Sequence, residues 1–133
     1  MKILRNSFKR LPDSELAVML AVWNRGTEKV HTGEILEELR AAGYTSWKTQ
    51  TVQNMLIRLT EKGYLTCEKL GRLNFYTPLV SMKEYQGRET DTLLERFYGG
   101  SAKNLFAALV EKTTMSPQDL EEIRQLLSKD NEE

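Results

Sequence analysis

The chain has 133 residues, 40% hydrophobic and 29% charged, which suits one ordinary domain or two small ones with a packed core. No apolar run approaches the roughly 18 residues of a membrane span, the charged first ten residues lack the apolar core of a signal peptide, and a single cysteine excludes an internal disulfide and a cysteine-rich metal cage, so a cytoplasmic protein without membrane contact is the default. The net charge is zero, but residues 1–80 hold 12 basic and 8 acidic side chains and residues 81–133 hold 7 and 11, a split that fits an anionic partner for the first half and decides little alone.

Lys2, Arg5, Lys9 and Arg10 open the chain as a basic arm, residues 1–10, without an acid. Leu16, Met19, Leu20 and Trp23 recur at i, i+3, i+4 and i+7 and predict a first helix over Leu11 to Trp23. Its first turn takes Pro12, whose missing N–H has no intrahelical partner there, and Asp13 and Glu15, which suit the positive end of the dipole. Gly26 ends it. Thr32 is the expected N-cap of a second helix that carries Ile35, Leu36 and Leu39 on one face and closes at Gly43, with Val30 in a short strand before it. Tyr44 to Lys48 is a connection, and Trp47 in it is expected in the core.

The next segment is the most informative. Thr49 to Lys62 places Val52, Met55, Leu56 and Leu59 on one helical stripe, and Gln50, Gln53, Asn54 and Ile57 opposite, with Thr51 and Arg58 on a flank. There is no acid from Thr49 to Thr60. Gly63 stops the helix. Tyr64, Leu65, Cys67 and Leu70 then read as one strand and Leu73, Phe75, Tyr76 and Leu79 as a second, with Gly71 at a tight tip and Pro78 confined to an edge or a strand end. A helix that stops on glycine and runs into a basic hairpin predicts a winged helix-turn-helix, in a fold that is mainly α with a small β-wing.

That pattern fits duplex DNA. Asn and Gln place a donor beside an acceptor, as adenine requires in the major groove, so Gln50, Gln53 and Asn54 are candidate base readers. Thr51 suits a phosphate or a thymine methyl. Lys48, Thr49 and the first amides of the helix are candidate phosphate ligands, with Arg58 on the flank. Lys69, Arg72 and Asn74 around the hairpin tip suit a wing lying on the backbone or minor groove. The bland alternative for each is a solvated polar helix face or a hairpin whose basic residues guard an edge strand.

From Ser81 the chain turns helical. Ser81 and Glu84 form a capping box, and Leu93, Leu94 and Phe97 follow before Gly99 and Gly100. Ala102, Leu105, Phe106, Leu109 and Val110 mark a fifth helix. Ser116, Pro117 and Asp119 start a sixth with Leu120, Ile123, Leu126 and Leu127, and Lys129 to Glu133 is expected to fray. Three short helices with one apolar face each are too little for a core of their own. Residues 81–133 are therefore expected to pack on the first part or on a second copy, through Leu93, Leu94, Phe97, Leu105, Phe106, Leu109, Leu120, Ile123 and Leu127. Enzyme chemistry finds little: His31 and Cys67 are each alone of their kind, no catalytic residue, metal site or cofactor is read, and no glycine-rich phosphate loop is present.

Over nearly its whole length the chain resembles the penicillinase repressor family of BlaI, MecI and CopY type. The resemblance rests on LPDSELAVMLAVW (Leu11 to Trp23), TVQNMLIRLTEKGYL (Thr51 to Leu65), GRLNFYTPLVS (Gly71 to Ser81), YGGS and LVEK (Tyr98 to Lys112), and SPQDLEEIRQLL (Ser116 to Leu127), in that order and spacing. It implies a homodimeric transcriptional repressor on a palindromic operator, with a winged helix over residues 1–80, a three-helix dimerisation segment over residues 81–133, and base readers at Gln50, Thr51, Gln53 and Asn54. It implies control of β-lactam or other antibiotic-resistance genes and, in one branch, a sensor protease as partner. Where relatives often begin the recognition helix with Ser-Pro-Lys, this chain has Lys48-Thr49-Gln50, which changes the charge and the operator preferred. The paired Cys-x-Cys motifs of the copper-responsive branch are missing, and the Asn-Phe bond cleaved in the β-lactam branch aligns with Ala108-Leu109. The rival reading is a winged-helix adaptor for proteins, which predicts an apolar outer face on the third helix.

Overall fold

The computed structural model describes residues 8–26 and 28–131. The elements run α1 (Asp13–Arg25), β1 (Val30–His31), α2 (Thr32–Ala41), α3 (Thr49–Glu61), β2 (Leu65–Leu70), β3 (Leu73–Pro78), α4 (Met82–Tyr98), α5 (Ala102–Lys112) and α6 (Pro117–Asn131). The architecture is mainly α with a small antiparallel sheet of order β1-β3-β2, a winged helix-turn-helix followed by three helices. No helix among the described residues is long and apolar enough to cross a membrane.

Contacts divide the chain after Glu89, into a first unit ending there and a second from Thr90 to Glu133. The division falls later than the expected boundary at residue 80, because the first turns of α4 belong to the first core. Tyr85 is 4% exposed, and its hydroxyl accepts a hydrogen bond from the Leu11 amide at 2.8 Å.

In the first unit, α1, α2 and α3 close on Val18, Met19, Val22, Ile35, Leu39, Val52, Leu56 and Leu59, each essentially out of water. The buried stripe of α1 is Glu15, Val18, Met19 and Val22, one residue earlier in phase than expected. Leu16 and Trp23 are half-buried, and Leu20 is exposed at the edge of a shallow apolar groove beside Tyr44 and Met82. Gly26 ends α1 at φ 69° and donates its amide to the Trp23 carbonyl. Arg25, in the last turn of α1, reaches Glu34 at 2.9 Å and Glu37 and Glu38 at 3.5 Å on α2, and so ties the two helices.

The cap of α2 is His31, not Thr32. Its imidazole accepts from the Gly33 amide at 3.1 Å, while Glu34 accepts from the His31 amide at 3.1 Å. That bond from the backbone, helped by Arg25, holds the Glu34 carboxyl below the usual carboxylate range against the opposing effect of burial. His31 also forms β1 together with Val30, and the strand pairs Val30 with Tyr76 and His31 with Phe75.

The hairpin pairs Leu70 with Leu73 across Gly71 and Arg72. Gly71 has φ 64° and no non-glycine residue among the described ones has positive φ, the pattern of a type II′ turn with glycine first. Pro78 stands at the end of β3, where a missing donor costs least. The alternation expected in β2 does not hold, since Leu65 is buried and every later residue, Cys67 and Leu70 included, is exposed. Trp23 Nε1 donates to the Val80 carbonyl at 3.0 Å and anchors the end of the wing to α1.

The chain before α1 is held as well. Phe8 packs edge-on against Tyr64 (5.7 Å between centroids) and stacks on Tyr85 (6.0 Å). The Tyr64 hydroxyl donates to the Lys9 carbonyl, and burial pushes that phenol well above its ordinary range, so it stays a donor. Arg10 pairs with Glu89 at 3.1 Å. The free basic arm is thus corrected at Arg10, while Lys2 and Arg5 lie outside the described residues.

In the second unit, Ser101 caps α5 by accepting from the Asn104 amide at 3.1 Å, and Ser116 caps α6 by accepting from the Asp119 amide at 3.0 Å. Of the segment Lys129 to Glu133, expected to fray, the residues up to Asn131 continue α6, while Glu132 and Glu133 lie outside the described residues. No described residue of this unit is buried. Leu94, Leu105 and Ile123 are half-buried, whereas Leu93, Phe97 (73%), Phe106, Leu109, Leu120 and Leu127 (60%) face water.

Tyr85→Phe removes the acceptor of a buried amide and is expected to lower stability by about 1–3 kcal/mol in urea denaturation. Glu34→Gln tests the cap of α2. The carboxylate has a folded pKa below its unfolded one, so its contribution is present at neutral pH and lost as pH falls through the folded value. The variant should be less stable than the parent at neutral pH, and the gap should close in acid.

Candidate nucleic-acid interface

The candidate site begins with the rotation of α3. Val52, Met55, Leu56 and Leu59 are all at most 4% exposed, as the stripe predicts. Burying each is worth about 1.5–3 kcal/mol, so α3 cannot turn on its axis without forfeiting the core. The opposite face is therefore outward: Lys48, Thr49, Gln50, Thr51 and Asn54 are exposed and Gln53 is half-buried. Gln50 Nε2 donates to Asn54 Oδ1 at 3.1 Å, which joins two of the amides across one turn. Ile57 is the only large exposed apolar side chain on the helix.

The start of α3 is chemically open. α2, α4, α5 and α6 each have a side-chain cap: His31, Ser81 (3.0 Å to the Glu84 amide), Ser101 and Ser116. The N-cap of α3 is Lys48, which makes no side-chain hydrogen bond to the helix, and no acid lies in the first turn. Uncapped amides, a positive dipole end and a lysine together make an anion site.

The wing supplies a second set. Lys69 and Asn74 are register partners and Arg72 lies in the turn; all three are exposed. Among the described residues Lys48, Lys69 and Arg72 make no ion pair, so their charge is available. Leu70 (44%) and Leu73 (49%) flank Arg72.

Arg58 departs from this pattern. Its Nε donates to Glu15 Oε2 at 3.2 Å, and Lys62 pairs with Glu15 Oε1. Glu15 is only 5% exposed. The structure thus brings Arg58, itself half exposed, together with a carboxylate on α1. Residue spacing carried a signal for this, since Glu15, Val18, Met19 and Val22 is itself an i, i+3, i+4, i+7 series headed by an acid. Trp47, expected in the core, is half-buried and packs against the core's edge, with its ring tilted against Tyr44 at 4.5 Å between centroids. Among the described residues no three His, Cys, Asp or Glu side chains converge as a metal site would require.

Comparison with known proteins places this geometry. The model of the penicillinase repressor family matches residues 11–129. The chain is 32% identical over 122 residues to the penicillinase repressor of Bacillus licheniformis, covering 90% of this chain and 92% of that protein. It is 24% identical over 124 residues to the methicillin resistance regulatory protein MecI of Staphylococcus aureus (strain N315), covering 93% and 98%. Among solved structures, the solution structure of the DNA binding domain of the repressor BlaI matches at a TM-score of 0.50 and 34% identity, over 59% of this chain and 92% of that one.

Proposed function

Because the chain belongs to the penicillinase repressor family, and so is a DNA-binding transcriptional repressor, we propose that two copies of it grip a palindromic operator. Each copy lays the outer face of α3 in a major groove. Gln50, Gln53 and Asn54 read base edges, Thr51 meets a phosphate or a thymine methyl, and Lys48, Thr49 and the open amides of α3 hold a phosphate. Lys69, Arg72 and Asn74 hold the backbone or minor groove beside it.

The observation that carries this reading is the outward face of α3: amide-rich, free of acid until Glu61 in the last turn, and uncapped at its start. An adaptor for protein partners calls for an exposed apolar patch there, and Ile57 alone does not make one. The first unit acts as the DNA-binding domain and the second as the dimerisation domain. In support of the second assignment, Leu93, Phe97, Phe106, Leu109, Leu120 and Leu127 are exposed in a unit none of whose described residues is buried, and a two-fold partner offers the same apolar set in return. The repressor works in the cytoplasm without catalysing a reaction. The genes it controls are of the antibiotic-resistance class by kinship with its relatives. A sensor protease remains a partner of the induction step, at a bond other than the Asn-Phe pair, since Ala108-Leu109 stands in its place.

Gel-shift of the full chain on the DNA upstream of its own gene tests the core of the proposal. Gln53→Ala and Asn54→Ala should each relax preference at single base pairs, by about 1–3 kcal/mol of discrimination. Unchanged selectivity in both would remove α3 from the groove. Phe97→Asp should shift the chain from dimer to monomer in sedimentation and cost most of the operator affinity; a variant still dimeric at micromolar concentration would move the interface elsewhere.

A further inference from the structure

We propose that Glu15 is a positioning residue for DNA reading: it sequesters Arg58 and Lys62, fixes the second half of α3, and confines phosphate contact to the helix start and the wing. This rests on the reading of α3 given above and concerns which of its cations meet DNA.

Glu15 lies in the first turn of α1 and is 5% exposed. Each of its oxygens has its own cation: Oε2 takes Arg58 Nε at 3.2 Å, and Oε1 takes Lys62 Nζ. Arg58 and Lys62 stand one helical turn apart, so one carboxylate holds α3 at two points. Arg58 is half exposed, yet its Nε is turned inward. A buried carboxylate with two partners binds more firmly than an exposed pair, and salt screens it less. The one carboxylate cancels one of the two positive charges and occupies a nitrogen of each side chain, so less charge is left for a phosphate there, whereas Lys48, Lys69 and Arg72 make no ion pair among the described residues. Glu15 thus acts without touching DNA, by setting where α3 sits and which charges it offers.

The distinguishing measurement is the salt dependence of binding. Each cation on a phosphate adds about 0.9 to the slope of log affinity against log salt. The full-length chain would be titrated by fluorescence anisotropy, over a range of KCl, against a duplex it has selected from a random pool and against a scrambled one. Arg58→Gln should weaken binding by a constant factor at every salt concentration, with the wild-type slope. Glu15→Gln frees both cations. Its slope should steepen by about 0.9–1.8 per protomer, its ratio of selected to scrambled affinity should fall, and adding Arg58→Gln should restore part of the slope. The proposal is overturned if Arg58→Gln flattens the slope by about 0.9 per protomer, which places Arg58 on a phosphate. It also fails if folded Glu15→Gln keeps the wild-type slope and ratio. Should Glu15→Gln not fold, by circular dichroism, the Arg58→Gln slope decides alone. A wild-type chain without salt-dependent binding would instead remove the DNA reading itself, before any variant is made.

Discussion

Everything in the candidate interface depends on the seating of α3. Four side chains, Val52, Met55, Leu56 and Leu59, are buried in one stripe against α1, α2 and the root of the wing. That stripe is an azimuthal constraint. It turns Gln50, Gln53 and Asn54 outward without any of them contributing to the core, so the readers are free to be chosen by what they read. The cost of losing the stripe is several times that of losing a surface hydrogen bond, and so the polar face can vary while the helix stays in place.

Charge completes what packing begins. Most of the first unit's described cations fall into two groups, with Lys9, Arg40 and Lys83 exposed outside both. Arg10, Arg25, Lys29, Arg58 and Lys62 are held by carboxylates at Glu89, Glu34, Glu68 and Glu15. Lys48, Lys69 and Arg72 are left to solvent at the start of α3 and the tip of the wing. Capping follows a similar division, since four helices close their first turn with a side chain while α1 and α3 do not, and of these two only α3 also lacks an acid in its first turn. A chain of zero net charge thereby keeps a locally positive surface.

The legible parts of the sequence were those where one period dominates. α3 has its apolar and polar residues fully sorted, and its buried set was read residue by residue. The hairpin was legible from Gly71, and the starts of α4 and α6 from Ser81 and Ser116. α1 was misread in phase because the true stripe begins with a carboxylate, which hydrophobic periodicity discounts; only Arg58 and Lys62, more than forty positions away, make its burial tolerable. The cap of α2 was misplaced because histidine seldom fills that role and threonine often does. Spacing places Glu15 on the buried stripe, but nothing local names its distant partners, and the same holds for Tyr85, whose hydroxyl serves Leu11.

The second unit, with no buried residue among those described, has a consequence for regulation. In the proposed dimer, the species that occupies an operator forms from two chains, and each chain alone is a weak ligand for half a site. While monomer predominates, occupancy rises with the square of chain concentration. A twofold fall in synthesis then empties about three quarters of the dimer pool, by mass action. Dilution by growth would relieve repression more sharply than the change in protein level that causes it, with no ligand or modification taking part.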